Sequence, residues 1–199
     1  GAANAAFGIS ALGSNTTGAY NTGFGAYSLY SNTTAVNNTA VGYQAAYTNT
    51  TGAQMVAVGL NSLYANTTGS NNVAIGQESL RFNTTASNNT AVGYQAGYSN
   101  TTGGVTAFGR LAAYSNTTAV EVTAIGNAAL YSNTGARNTG VGETALYANT
   151  TGVDNVGMGV AAFRFNTTGG SNVGIGNYAL YSNTTASDNT AVGYQAGYS

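Results

Sequence analysis

A glycine returns at a near-constant interval along the whole chain: Gly8, Gly25, Gly42, Gly59, Gly76, Gly93, Gly109, Gly126, Gly142, Gly159, Gly176 and Gly193. The steps are 17 residues, except two of 16 (Gly93 to Gly109 and Gly126 to Gly142). So short a period, held from end to end, restricts the chain to a solenoid or stacked array in which each unit packs on its neighbours. No composition shift divides the chain, so residues 1–199 read as a single repeat domain.

Each repeat position has its own chemistry. The residue before the marker glycine is always large and apolar: Phe7, Phe24, Val41, Val58, Ile75, Val92, Phe108, Ile125, Val141, Met158, Ile175 and Val192. Before it stands Ala or Gly, and before that usually Thr or Val. Branched, small, large, Gly is the pattern of a short strand with alternating faces. The large residues are expected to form the core ladder, with the small residue facing outward. On that expectation Val92→Asp or Ile125→Asp buries an unpaired charge and disrupts the stack.

After the glycine come a small residue, commonly Leu, and then Tyr, as in Ser28-Leu29-Tyr30 and Ala145-Leu146-Tyr147. This segment is read as a second short strand with Leu inward. Asn-Thr-Thr follows, then a polar turn that often ends in Asn. Both shortened repeats lose their residue between these points, where a connection best tolerates deletion. Thr, Asn and Gly oppose helix, and a disordered chain would lack a position-specific large apolar residue in every unit. The expected fold is all-β: a rod-like parallel β-solenoid (β-roll) of about 12 coils. At the strand spacing of ~4.8 Å its length would be about 55–60 Å.

Composition narrows function. Arg81, Arg110, Arg137 and Arg164 oppose Glu78, Glu121, Glu143, Asp154 and Asp188, for a net charge of −1. No basic stripe exists for nucleic acid or anionic membrane, and no apolar run has transmembrane length. Neither partner is expected. His, Cys and Lys are absent, so no catalytic constellation can be assembled. Glu78 and Glu143 lie four repeats apart, about 19 Å, too far for a carboxylate pair. We expect no enzyme, no metal site and no cofactor. Sparse charge suits a parallel stack, where equivalent residues stand ~5 Å apart and like charges would repel. Asn avoids that repulsion, and stacked amides can bond along a ladder.

Asn-Thr-Thr matches the N-glycosylation pattern at Asn15, Asn32, Asn49, Asn66, Asn83, Asn100, Asn116, Asn149, Asn166 and Asn183; Asn37 and Asn88 match through Asn-Asn-Thr. These are the candidate glycosylation sites. The competing reading is a turn ladder, with Asn bonding backbone and Thr bonding neighbouring coils. Thr rows also suit ice binding, although adjacent Thr residues cannot both face outward. The Tyr row could bind a glycan or receptor, or simply stack on itself. Arg81-Phe82 and Arg164-Phe165 break it, five repeats apart.

Asn89–Gly103 (Asn-Thr-Ala-Val-Gly-Tyr-Gln-Ala-Gly-Tyr-Ser-Asn-Thr-Thr-Gly) resembles the Asn/Thr/Gly-rich repeats of phage tail fibres and bacterial tail-fibre-domain surface proteins. More loosely, Val73-Ala74-Ile75-Gly76 resembles a step of YadA-type trimeric adhesin heads. The resemblance implies a parallel β-roll that assembles as a homotrimer, and the expected small-residue outer face would permit close approach of another chain. The expected function is the structural and adhesive shaft of an extracellular fibre that binds a cell-surface glycan. It would sit on a cell surface, filament or virion. The alternative is a self-assembling filament or sheath subunit, polymerised helically or end to end and glycosylated; an ice-binding solenoid is third. The first residues occupy late-turn positions and the last coil stops before Asn-Thr-Thr, so an excerpt of a longer protein is expected.

Overall fold

The computed structural model describes residues 3–101 and 103–198. Twelve short strands, one per repeat, are β1 (Ala5–Phe7), β2 (Thr22–Phe24), β3 (Thr39–Val41), β4 (Val56–Val58), β5 (Val73–Ile75), β6 (Thr90–Val92), β7 (Val105–Phe108), β8 (Val122–Ile125), β9 (Thr139–Val141), β10 (Val156–Met158), β11 (Val173–Ile175) and β12 (Thr190–Val192). They form one parallel sheet in chain order. The register is that of the repeat: Ala40 pairs with Ala57, and Val41 with Val58. The protein is therefore a parallel β-solenoid.

The rest of each coil is turn rather than a second strand. Two positions after the marker glycine, and two further on, the backbone enters the left-handed region, as at Ala128 (φ 54) and Leu130 (φ 51). A third left-handed residue precedes the strand, as at Arg137 (φ 57). Repeated reversal of hand keeps the segment curling where a strand would run straight. The marker glycine bends the chain off the sheet. At Gly126 φ is +134, and a β-carbon would lie 2.6 Å from the carbonyl carbon of Gly142 in the next coil. Only glycine fits there.

The interior is the reverse of the expected one. The small central residue of each strand points inward: Ala40, Ala57, Ala74, Ala91, Ala107 and Ala124 are fully buried. The expected core ladder faces out. Phe7 is 69% exposed, Phe24 54% and Ile125 40%, and Ile75, Phe108, Met158, Ile175 and Val192 are also exposed. Val41, Val58, Val92 and Val141 are half-buried. The reason is the thinness of the coil. Leu29, Leu63, Leu80, Leu130 and Leu146 do point inward and are fully buried. They fill the space opposite the sheet, leaving room only for Ala or Gly: a β-carbon on Gly157 would lie 3.2 Å from Cγ of Leu146.

The interior is also polar. The Asn of Asn-Thr-Thr is fully buried in most coils and forms a ladder. Asn49 Nδ2 donates to Asn32 Oδ1 at 3.1 Å and to the Gly52 carbonyl at 2.9 Å. Asn66 donates in the same way to Asn49 Oδ1 (2.9 Å) and the Gly69 carbonyl (2.9 Å). A second ladder stands just before the strands. Asn21 Oδ1 accepts the Asn38 backbone N–H at 3.0 Å, while Asn38 Nδ2 donates to the Gly52 carbonyl at 2.9 Å. Asn49 and Asn66 use both amide protons, and Asn38 uses one together with its carbonyl oxygen, which accepts the Met55 N–H at 3.0 Å, so burial of these side chains is compensated.

At this second position Met55, Val105 and Val122 replace Asn. Where two Val residues are consecutive, no amide oxygen from Val105 competes for the Val122 N–H, which donates to the Gly104 carbonyl at 3.1 Å. Strands β7 and β8 accordingly gain a residue and pair through Val105 and Val122.

Candidate functional site: the outer surfaces of the coil stack

Among the described residues no cavity opens, and no three acidic side chains gather as a metal site would require. No helix is long and apolar enough to cross a membrane. Whatever this chain contacts, it contacts through the surfaces of the stack, of which three differ in chemistry.

The first is the outer face of the sheet. Two rows run along it, because side chains alternate across a strand. One row is Thr or Val, from Thr22 and Thr39 through Val156 and Val173 to Thr190; the other is the large apolar series from Phe7 to Val192. Neither row holds a charged residue from β1 to β12. Exposed Tyr43, Leu60, Tyr94 and Val160 extend the apolar character beyond the marker glycines. Eleven steps of ~4.8 Å by roughly 10 Å of width make about 500 Å² for the two rows. The strip is uncharged, half of it large apolar side chains and half Thr or Val, and it matches in size the largest patch of a typical monomer, which is often functional.

The second is the aromatic row, half-buried along most of its length. Tyr30 stacks on Tyr47 (ring centroids 5.2 Å apart) and Tyr47 on Tyr64 (5.4 Å). Tyr98, Tyr114, Tyr131 and Tyr147 continue at 4.9, 5.0 and 5.1 Å, and Tyr181 stacks on Tyr198 at 5.0 Å. Arg81 and Arg164 occupy the row where it breaks. Each guanidinium lies over the preceding Tyr and over the adjacent Phe: Arg81 over Tyr64 (5.8 Å) and Phe82 (5.6 Å), Arg164 over Tyr147 (5.7 Å) and Phe165 (5.9 Å). A flat cation is the substitute an aromatic stack accepts. Phe82 and Phe165 then meet the next Tyr edge-on. Burial raises the Tyr114 phenol above its ordinary value, and Tyr98 and Tyr131 push the same way.

The third is the Asn-Thr-Thr corner, and here glycosylation is corrected. The side chains of Asn32, Asn49, Asn66, Asn83, Asn100, Asn116, Asn149 and Asn166 are fully buried, and a sugar cannot be attached to a nitrogen inside the coil. Asn15 and Asn183 are half-buried, and their Nδ2 atoms donate inside the chain, to the carbonyls of Gly18 and Ala186. Asn37 and Asn88 are exposed. The first Thr of the pair is also committed: Thr33 and Thr50 donate Oγ1 to the carbonyls of Thr50 and Thr67 at 3.1 and 3.0 Å. The second Thr is exposed, as at Thr34, Thr51 and Thr68, and the first-position Thr84 and Thr117 are exposed as well.

The charges serve the stack. Arg137 and Asp154 occupy equivalent left-handed positions of adjacent coils and pair through two hydrogen bonds, of 2.6 and 2.9 Å. The hydrogen bond from Arg137 lowers the Asp154 carboxyl below the usual range. Glu78 accepts from Arg81 in its own coil and from Gln95 at 2.6 Å in the next. The second Asn ladder had a legible signal: Asn exchanges with Met55, Val105 and Val122 at one repeat position, and polar-for-apolar exchange points to the interior.

Comparison with family models, curated proteins and solved structures finds no match to this chain.

Proposed function

We propose that this chain is the shaft of an extracellular fibre, a rigid spacer whose copies pack together through the outer face of the sheet. The observation that supports it is the uncharged double row, one of large apolar side chains and one of Thr or Val, running the length of a stack whose interior is already filled. The small-residue face that the sequence was expected to offer another chain is turned inward, so close approach of backbones is not the basis for assembly. Burial of Phe, Ile, Val and Met side chains is. Low net charge removes the long-range repulsion that would keep copies apart. In the adhesive form of this reading, the half-exposed tyrosines and the polar corners remain available to a cell-surface glycan.

The test is the native mass by light scattering, alongside the triple variant Ile75→Lys, Ile125→Lys, Ile175→Lys. The wild-type chain is expected as a discrete trimer or as large polymeric particles. The variant is expected to keep its circular dichroism and become monomeric. A monomeric wild-type chain at tens of micromolar overturns the proposal. Trimer and polymer distinguish an adhesin-like shaft from a filament, and a glycan array on the trimer tests adhesion.

A further inference from the structure

We propose that the stacked tyrosine row is a site of oxidative phenol coupling, at which a one-electron oxidant staples neighbouring coils together through dityrosine bonds. Tyr98, Tyr114, Tyr131 and Tyr147 stand on four successive coils with centroids 4.9 to 5.1 Å apart and ring planes within 10° of parallel. Each of these residues is half-buried, held by the stack yet partly open to solvent. Phenoxyl radicals in free solution must find each other by diffusion. Here the fold holds each pair of phenols as neighbours, which turns coupling into an intramolecular step.

The chemistry balances with a haem peroxidase and hydrogen peroxide as oxidant. Each of two tyrosines gives up one electron and its phenolic proton. The two radicals join at the ring carbons ortho to oxygen. The hydrogen on each joined carbon then moves to the oxygen, restoring both phenols. The electrons and protons reduce one peroxide to two waters, and the product is lighter by two hydrogen atoms. The rings have to turn about their side-chain torsions to bring those carbons together, which residues only half-buried can do. Linking residues 16 or 17 apart in sequence restricts the unfolded chain as a disulfide does.

The arginines divide the row. Arg81 stands between Tyr64 and Tyr98, and Arg164 between Tyr147 and Tyr181, and neither can couple. Links within the row are therefore confined to the blocks Tyr30–Tyr64, Tyr98–Tyr147 and Tyr181–Tyr198; Tyr27 and Tyr178, which meet Tyr30 and Tyr181 edge-on at 5.8 and 5.5 Å, lie beside the first and last blocks. This is independent of how the chains assemble.

The test uses a mixture of isotopically heavy and light full-length chain with horseradish-type peroxidase and peroxide, followed by denaturation, trypsin and mass spectrometry. Arg110 and Arg137 place cleavage sites between Tyr98 and Tyr114 and between Tyr131 and Tyr147, giving peptides 82–110, 111–137 (which holds both Tyr114 and Tyr131) and 138–164. The expected products are the linked pairs 82–110 with 111–137 and 111–137 with 138–164, each purely heavy or purely light. Tyr98→Phe keeps the stack but removes the coupling carbon's phenol; it is expected to abolish the first pair and spare the second. The proposal is overturned if these pairs are absent while dityrosine fluorescence rises, if they are predominantly heavy–light, or if the first pair survives Tyr98→Phe. No dityrosine at all, in folded protein that consumes peroxide under peroxidase, also overturns it.

Discussion

The Phe163 ring occupies the space that a side chain on Gly174 would need: a β-carbon there would lie 2.9 Å from Phe163 Cδ2. Gly157 on the neighbouring strand stands 3.4 Å from the same atom by the same measure. Phe163 holds the inward position that Leu fills in most coils, and the extra volume is matched by glycine on the facing strands. Gly174→Ala is expected to destabilise by about 1–3 kcal/mol through overpacking. Phe163→Leu is expected to relieve most of that loss in the double variant. Chemical denaturation of the four proteins in a double-mutant cycle checks the coupling; additive effects would show that the two sites do not share the space.

Adjacent residues of one strand should respond oppositely to substitution. Ala124 is fully buried and Ile125 is 40% exposed. Ala124→Leu forces three more carbon atoms into a filled interior and is expected to cost about 3 kcal/mol or to prevent folding. Ile125→Asp is expected to cost about 1 kcal/mol or less, as surface changes do, and to weaken self-association instead. Thermal unfolding and native mass, measured on both variants, separate the two effects. The reverse order of stabilities would restore the large residues to the core.

Asn66 is bonded on every side. Its Nδ2 serves Asn49 Oδ1 and the Gly69 carbonyl, and its Oδ1 accepts from Asn83 Nδ2 at 2.8 Å. Asn66→Ala strands three partners in the interior, and each buried orphan costs about 1–3 kcal/mol. Asn66→Asp is expected to be worse at neutral pH, since it places a carboxylate against two oxygens, and to recover partly in acid as the carboxyl gains a proton. Denaturant midpoints at neutral and acid pH check this. An Asn66→Asp variant as stable as wild type would sink the ladder as a source of specificity.

Alkali should loosen the stack through its tyrosines. Burial first, and then Tyr98 and Tyr131, raise the Tyr114 phenol. A raised acid favours its neutral form in the fold, so its contribution is present below the ordinary tyrosine value of about 10 and is lost as pH climbs through the raised one. Stability is expected to fall in that window, and less steeply in Tyr114→Phe. Denaturation as a function of pH, followed with tyrosinate absorbance, makes the comparison. At the acid end, the exposed Asp154–Arg137 pair contributes above the usual carboxylate range and is lost as pH falls through the lowered Asp154 value; with both groups in solvent, the effect is expected to be small.

Much of this protein can be read from its residues alone. The spacing of the marker glycines determines one coil per repeat, and branched-small-large-Gly determines where each strand lies. Leu29 and its equivalents were legibly inward. Asn in every Asn-Thr-Thr, in a chain nearly without charge, pointed to an amide ladder. What alternation along Thr39-Ala40-Val41 cannot tell is which of its two faces is inside, because period two defines faces without labelling them. The tertiary structure decided that by width. The wall opposite the sheet brings Leu and Asn side chains so close that only Ala or Gly can meet them, and the larger residues of every strand are left outside. The same closeness put the Asn-Thr-Thr amides out of reach of sugar, since each finds its partners one coil away and at the end of its own turn.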